Sequence, residues 1–150
     1  MIELNLPSFA YKLKQHNGSV QIWDTVRRKY VALTPEEWVR QHFIAYLVGG
    51  KGYPVGRIGN EISLILNGRS RRCDTLIYDA EGQPLVLIEY KAPHIAVSQK
   101  VFEQAVRYNI YFRVPYIMLS NGLSHYCCHV DYVSGKYRFL TEIPPYNELY

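Results

Sequence analysis

Leu85-Val86-Leu87-Ile88-Glu89-Tyr90-Lys91 is the stretch whose reading decides the fold. Four consecutive apolar residues leave no polar face for solvent, so the segment reads as a strand covered on both sides, central in its sheet. It then ends in two charges. Glu89 and Lys91 are two residues apart and therefore face the same side of the sheet.

Upstream, Ile58–Leu66 and Arg71–Tyr78 alternate as strands joined at Asn67-Gly68, a strong short hairpin signal. The second of them reaches the central strand across Asp79–Pro84, which contains Glu81-Gly82. Pairing Tyr78 with Leu85 sets Asp74 opposite Glu89, with Cβ atoms roughly 5 Å apart on a shared face. Before these strands, Thr34-Pro35-Glu36-Glu37 marks a helix start. Thr34 caps, Pro35 suits the first helical position and Glu37 completes a capping box. That helix runs to about Val48 with Val39, Phe43, Tyr46 and Leu47 on one face, and Gly49-Gly50 stops it. Gly52-Tyr53-Pro54 then reads as a turn.

Downstream, a second helix fits between Pro93 and Pro115, with Val101, Ala105, Tyr108 and Phe112 as its core stripe. Tyr116-Ile117-Met118-Leu119 is a fourth core strand closed by Asn121-Gly122. Short strands around His125–Val130 and Tyr137–Leu140 turn at Ser134-Gly135-Lys136. At the other end, residues 19–33 read as a hairpin of Val20, Ile22 and Trp23 against Tyr30, Val31 and Leu33. The expected fold is α/β, a mixed central sheet flanked by helices in αβββαβ order, with N- and C-terminal β additions. One domain of residues 1–150 is expected: a β extension (1–33), a core (34–122), and a C-terminal hairpin and tail (123–150).

Composition bounds the function. Hydrophobic residues are 48% of the chain and charged residues 20%, as in a globular domain able to bury a core. No apolar run reaches membrane-spanning length, and Met1-Ile2-Glu3-Leu4 lacks a secretory signal's basic and apolar regions. No membrane partner and a cytoplasmic localisation are expected. Cys73, Cys127 and Cys128 are odd in number and form no CxxC pair, so free buried thiols are expected. His125-Tyr126-Cys127-Cys128-His129 invites a zinc reading. Zinc sites usually join separated elements, however, and a tyrosine-rich strand with buried thiols is the better account. Net charge is +4, which permits nucleic-acid binding without arguing for it. Two basic clusters, Arg69 with Arg71 and Arg72, and Arg27-Arg28-Lys29, suit either solvated turns or phosphate contacts.

The chemistry sits at Asp74, Glu89 and Lys91. Two carboxylates opposed across a buried hairpin repel, and a sheet gains nothing from them. A hard divalent cation resolves that repulsion, because Mg²⁺ takes carboxylate oxygens together with waters and phosphate. Such an ion activates water at a phosphodiester, and an adjacent lysine stabilises the charge that develops. An ordinary strand-end ion pair of either acid with Lys91 is the plain alternative, contributing under about 1 kcal/mol if exposed.

Asp74, then Glu89-Tyr90-Lys91 after an apolar strand, then Gln104-Ala105-Val106-Arg107-Tyr108 on a helix resembles the PD-(D/E)xK nucleases. The QxxxY element is similar to that of RecB-like nucleases. The nearest resemblance is to the N-terminal nuclease domain of type I restriction enzyme R (motor) subunits. It runs from Thr34-Pro35-Glu36-Glu37-Trp38-Val39-Arg40-Gln41 through Gly52-Tyr53-Pro54 and Glu61 to residues 115–122. The resemblance implies a restriction-endonuclease-like core and Mg²⁺- or Mn²⁺-dependent hydrolysis of DNA. It implies metal binding by Asp74 and Glu89, and Lys91 as the catalytic lysine. Gln104 and Tyr108 would support the site or contact DNA, alongside Arg69, Arg71 and Arg72. Glu61, in preference to Glu37, would supply an additional acidic ligand. Partners would be DNA and a helicase or restriction-complex subunit. Cys73 stands where the motif's name has proline, and the chain carries no helicase motor. A non-cleaving DNA-binding or assembly module that keeps the fold is the rival reading, and a purely structural interaction domain a further one.

Overall fold

A computed structural model describes residues 1–149. Nine strands and two α-helices form, in order, β1 (Leu13–His16), β2 (Ser19–Asp24), β3 (Lys29–Ala32), α1 (Pro35–Lys51), β4 (Ile58–Leu66), β5 (Arg69–Tyr78), β6 (Pro84–Tyr90), α2 (Gln99–Asn109), β7 (Tyr116–Ser120), β8 (His125–Asp131) and β9 (Lys136–Leu140). Six strands make one mixed sheet in the order β4-β5-β6-β7-β8-β9, and β1-β2-β3 make a separate antiparallel sheet. The β6–β7 pair is parallel, with α2 as the crossover, and the other pairs of the large sheet are antiparallel. The αβββαβ core with β additions at both ends is therefore what folds.

The apolar β6 lies between two layers, as its sequence demands. Val86, Ile88 and Tyr90 pack with Val39, Phe43 and Leu47 of α1. Leu87 faces the other way, toward Leu76 and Val114. On that second face, Phe102 and Val106 of α2 pack on Ile117 and Leu119.

Helix α1 starts as expected, with Pro35 in the first turn and Thr34 Oγ1 accepting from the Glu37 amide at 3.0 Å. Its end differs. Gly49 and Gly50 stay helical, and Gly52, at φ 73°, is the left-handed cap whose amide bonds Leu47. Two glycines weaken a helix without ending it, whereas the left-handed cap requires a residue free of a Cβ penalty. Helix α2 is rotated from its expected stripe: Phe102, Val106 and Asn109 are buried, while Val101 and Tyr108 are exposed. Apolar residues occur on two overlapping faces of this helix, and Asn109 settles the choice by bonding groups in the sheet. Strand β1 was not foreseen, since its residues Leu13-Lys14-Gln15-His16 are all exposed and show no buried stripe.

The Asn67-Gly68 hairpin forms, with φ of 51° and 77°. Between β5 and β6 the expected register holds from Thr75↔Ile88 to Ile77↔Val86. It slips at the turn, where a bulge pairs Tyr78 with Pro84 instead of Leu85. The three cysteines are free and buried. Burial raises the Cys127 thiol to about 12 and the Cys128 thiol to about 11. Among the described residues no helix is long and apolar enough to cross a membrane.

Candidate active site

Strands β4 and β5 change the faces they present at one shared point. Ile58 and Ile77 are register partners on the α1 side, whereas Ile62 and Cys73, also partners, belong to the cluster of Leu76 and Val114. Strict alternation would keep Ile58, Asn60 and Ile62 on one face. The reversal falls at Glu61, whose φ of 59° is rare for a side chain of that kind, and at Asp74 beside it. Gly59 follows from the same reversal. A Cβ there would stand 2.7 Å from Ile62 Cγ1, which the reversal folds over it.

The break frees the main chain and side chain of Asp74 from the ladder. Its carbonyl accepts from Arg40 Nη1 at 2.7 Å, and its carboxylate oxygen Oδ2 accepts from the Tyr90 amide at 2.9 Å. Asp74 thus lines a cavity of about 160 Å³ with Glu37, Arg40, Glu61 and Tyr90. Burial pushes the Asp74 carboxyl above its usual range. The Tyr90 amide and Arg40 oppose that rise, and Glu89 and Glu61 add to it. An acid held this way gains from a cation.

Glu89, one residue past the register pair Thr75↔Ile88, engages the α2 side, so the shared face with Asp74 expected from the sequence does not form. Its Oε1 accepts from Asn109 Nδ2 at 2.6 Å and pairs with Arg71 Nη2. Arg71 also donates to Asn109 Oδ1 at 2.6 Å and lies 5.3 Å from the centroid of the Tyr108 ring. Asn109, fully buried, is the group that sequence reasoning missed. Its place one residue after the QxxxY element was visible, but only the rotation of α2 turns it inward. Lys91 follows β6 and is exposed, with its amide bonded to the Ser120 carbonyl at 2.9 Å. Gln104 is exposed on α2, one turn before Tyr108.

The three arginines of the β4–β5 hairpin separate. Arg71 turns in to Glu89, Arg72 bonds Glu61 Oε2 at 2.9 Å, and Arg69 lies 4.3 Å from the Tyr111 ring centroid. Glu61 also pairs with Arg40 at 3.0 Å. Glu37 does more than cap. It receives Arg27 at 2.8 Å, Arg40 at 2.7 Å and Gln41 at 2.8 Å, so its side chain goes to ion pairing rather than back to Thr34. A continuous chain of alternating charge results, Asp24–Arg27–Glu37–Arg40–Glu61–Arg72, running from the small sheet to the back of Asp74.

Among the described residues, no three His, Cys, Asp or Glu side chains gather as a metal-holding group, the His125–His129 segment included. His125 instead meets Ser120 Oγ at 2.7 Å and the Asn5 carbonyl at 3.0 Å. Asp74 and Glu89 each offer hard oxygens, the donor type Mg²⁺ takes, commonly as one or two carboxylates with water and phosphate. Glu89 is already held by Arg71 and Asn109 on the α2 side, whereas Asp74 opens into the cavity beside α1.

Comparison with known proteins bears on the family and the fold. Residues 35–144 match the family model of the type I restriction enzyme R protein N terminus. Among solved structures, the chain is similar to a fragment described as an HsdR subunit of a type I restriction enzyme from Vibrio vulnificus YJ016. The TM-score is 0.54 and the identity 21%, over 78% of this chain and 24% of that one. At that identity the likeness speaks for the fold, and this chain spans about a quarter of that structure's length. No curated protein matches.

Proposed function

This chain belongs to the family of type I restriction enzyme R protein N termini, and we propose that it is a metal-dependent nuclease domain that hydrolyses DNA phosphodiesters at Asp74, Glu89 and Lys91. The observation that carries the reading is Asp74, a partly buried carboxylate raised above its usual range where two strands reverse their faces. Ion pairs elsewhere in the molecule are closed, whereas this acid holds one backbone hydrogen bond from Tyr90 and faces the charge of two other carboxylates.

Asp74 and Glu89 would hold Mg²⁺ or Mn²⁺, Glu61 being the nearest further acid. When bound, such an ion supplies a Lewis acid for the phosphoryl oxygen and acidifies a coordinated water. The chain's own residues do the rest. Arg40 fixes the main chain of Asp74 from behind, so the carboxylate need not reorganise as charge develops. Asn109 fixes the carboxylate of Glu89. Lys91, two residues after Glu89, would bring an ammonium to the phosphate, and Gln104 and Tyr108 would line the approach from α2. Delivery of DNA by a helicase or restriction-complex partner, in the cytoplasm, accords with the family.

One observation favours a second reading, a DNA-binding or assembly module that does not cut: Arg71 already supplies a cation to Glu89. Plasmid nicking with Mn²⁺ separates the two. Wild type should cleave, and Lys91→Ala should abolish cleavage with unchanged circular dichroism. Equal nicking by both would assign the activity elsewhere. Absence of cleavage by wild type on duplex, nicked and single-stranded DNA would favour the binding module.

A further inference from the structure

The small sheet lies outside the residues that match the family model, which begin at residue 35. It carries most of the chain's excess charge. Residues 1–33 hold Lys12, Lys14, Arg27, Arg28 and Lys29 against Glu3 and Asp24, a net +3 of the chain's +4. Asp24 is buried and paired with Arg27, so the excess charge rests on Lys12, Lys14, Arg28 and Lys29.

The register places Lys14 beside Gln21 and Trp23 beside Tyr30, with Ile22 and Val31 alternating to the core side. The outer face therefore interleaves cations and aromatic rings. Trp23 and Tyr30 meet edge to face at 5.2 Å, and Lys14 Nζ stands 4.5 Å from the Tyr30 ring centroid. Trp23 also borders an apolar cleft of 310 Å³ walled by Phe9, Tyr11, Val26 and Ile44, with Lys12 at its rim. That volume lies at the small end of ligand pockets and accommodates a flat heteroaromatic ring. Trp23 and Tyr30 are half-buried, so each keeps part of its ring in solvent beside the exposed ammonium groups of Lys12 and Lys14.

We propose that this three-stranded sheet is a docking platform for single-stranded DNA, with bases on Trp23 and Tyr30 and phosphates on Lys12 and Lys14. Every base has a π face, so such a platform is sequence-tolerant, and its basic residues track the backbone with a marked salt dependence. Duplex DNA keeps its bases stacked inside and offers the rings nothing. The choice of DNA over RNA rests on the nuclease reading; the platform geometry does not.

The test is fluorescence anisotropy of a labelled oligothymidylate of about 12 nucleotides with the full chain in chelator, where no metal-dependent cleavage can intervene. Trp23→Ala and Tyr30→Ala should each weaken binding about fivefold or more. Trp23→Phe should retain most of the affinity. Lys12→Glu/Lys14→Glu, at the sheet surface, should weaken it and flatten the slope of affinity against salt. Quenching of Trp23 emission, with Trp38 buried as the internal reference, should track the anisotropy. Unchanged affinity in both the aromatic and the lysine variants would overturn the proposal, as would tighter binding of duplex or of oligouridylate. The nuclease reading stands or falls separately, on Mn²⁺-dependent nicking by wild type and Lys91→Ala. Binding without nicking overturns only that reading.

Discussion

Asp24 and Asp74 are the same residue type in comparable settings, and their ionisation moves in opposite directions. Both lie on strands, at or near the meeting of a sheet with α1. Asp24 accepts from the amides of Val26 and Arg27, from Asn60 at 3.0 Å, and from the Arg27 guanidinium. Burial pushes its carboxyl up, but those partners outweigh it, and the group falls below the ordinary range. Glu37 behaves alike, with Arg40, Gln41 and Arg27 overcoming its burial. Asp74 receives one backbone hydrogen bond and the charge of Arg40 from behind, with Glu89 and Glu61 working against them, so burial prevails and its carboxyl rises. Desolvation is common to all three. Closure of the surrounding bonds decides the sign, and an acid left unclosed has capacity for a ligand.

Breaking the closed side should cost most. Asp24→Ala leaves Arg27 and Asn60 without their acceptor, and removal of one partner from a buried ion pair costs about 3 kcal/mol or more. Thermal unfolding should drop by roughly 6–12 °C or more. A drop under about 2 °C would show that the chain of charges is slack.

The face reversal is the next target. Gly59→Ala forces its new methyl into Ile62 Cγ1 at 2.7 Å, and overpacking of that kind costs about 1–3 kcal/mol. Gly59→Ala paired with Ile62→Val should recover part of the loss. If the single variant is neutral in urea denaturation, Ile62 does not sit over Gly59.

The smallest effect separates the two aspartates by pH. Asp24 and Glu37 have lowered folded values, so their stabilisation is present above the unfolded range near about pH 4 and is lost as pH falls through the folded values. Asp74, raised, works in reverse. Its ionisation costs stability as pH climbs from the unfolded value through the folded one. The stability of Asp74→Asn relative to wild type in chelator should therefore improve from about pH 4 upward and then level off. A difference that is flat with pH would mean that Asp74 is compensated after all.

The core was legible in the sequence because each element carried its own signal. Asn67-Gly68 located one hairpin, Thr34-Pro35 the start of α1, and the apolar run of residues 85–88 the centre of the sheet. Alternation gave the register of β5 on β6 from Thr75 to Ile77, but not the break at Asp74, which takes that carboxylate off the face of Glu89. The chain of charges from Asp24 to Arg72 was not legible. Three of its five links join residues in different elements, and Arg27 and Glu37 each had a local role, turn cation and helix cap, that accounted for them. Nor was the reversal at Glu61. A positive φ in a glutamate is imposed by packing on both sides, and periodicity passes through it unbroken. The hairpin arginines read as one cluster because sequence adjacency conceals that neighbouring strand residues point apart. Asn109 was hidden because it is a polar side chain on the buried face of α2, beside Phe102 and Val106, where periodicity expects an apolar one.

The most direct test of the account is thermal unfolding in chelator and in Mg²⁺ at matched ionic strength, for wild type and Asp74→Asn. In chelator the asparagine variant should equal or exceed wild type, because it removes a poorly compensated charge. Mg²⁺ at about ten times its dissociation constant should stabilise wild type by about 1.4 kcal/mol, a rise of roughly 3–6 °C, and the variant should lose most of that gain. A variant that is destabilised in chelator and responds to Mg²⁺ as wild type does would contradict a metal site at Asp74.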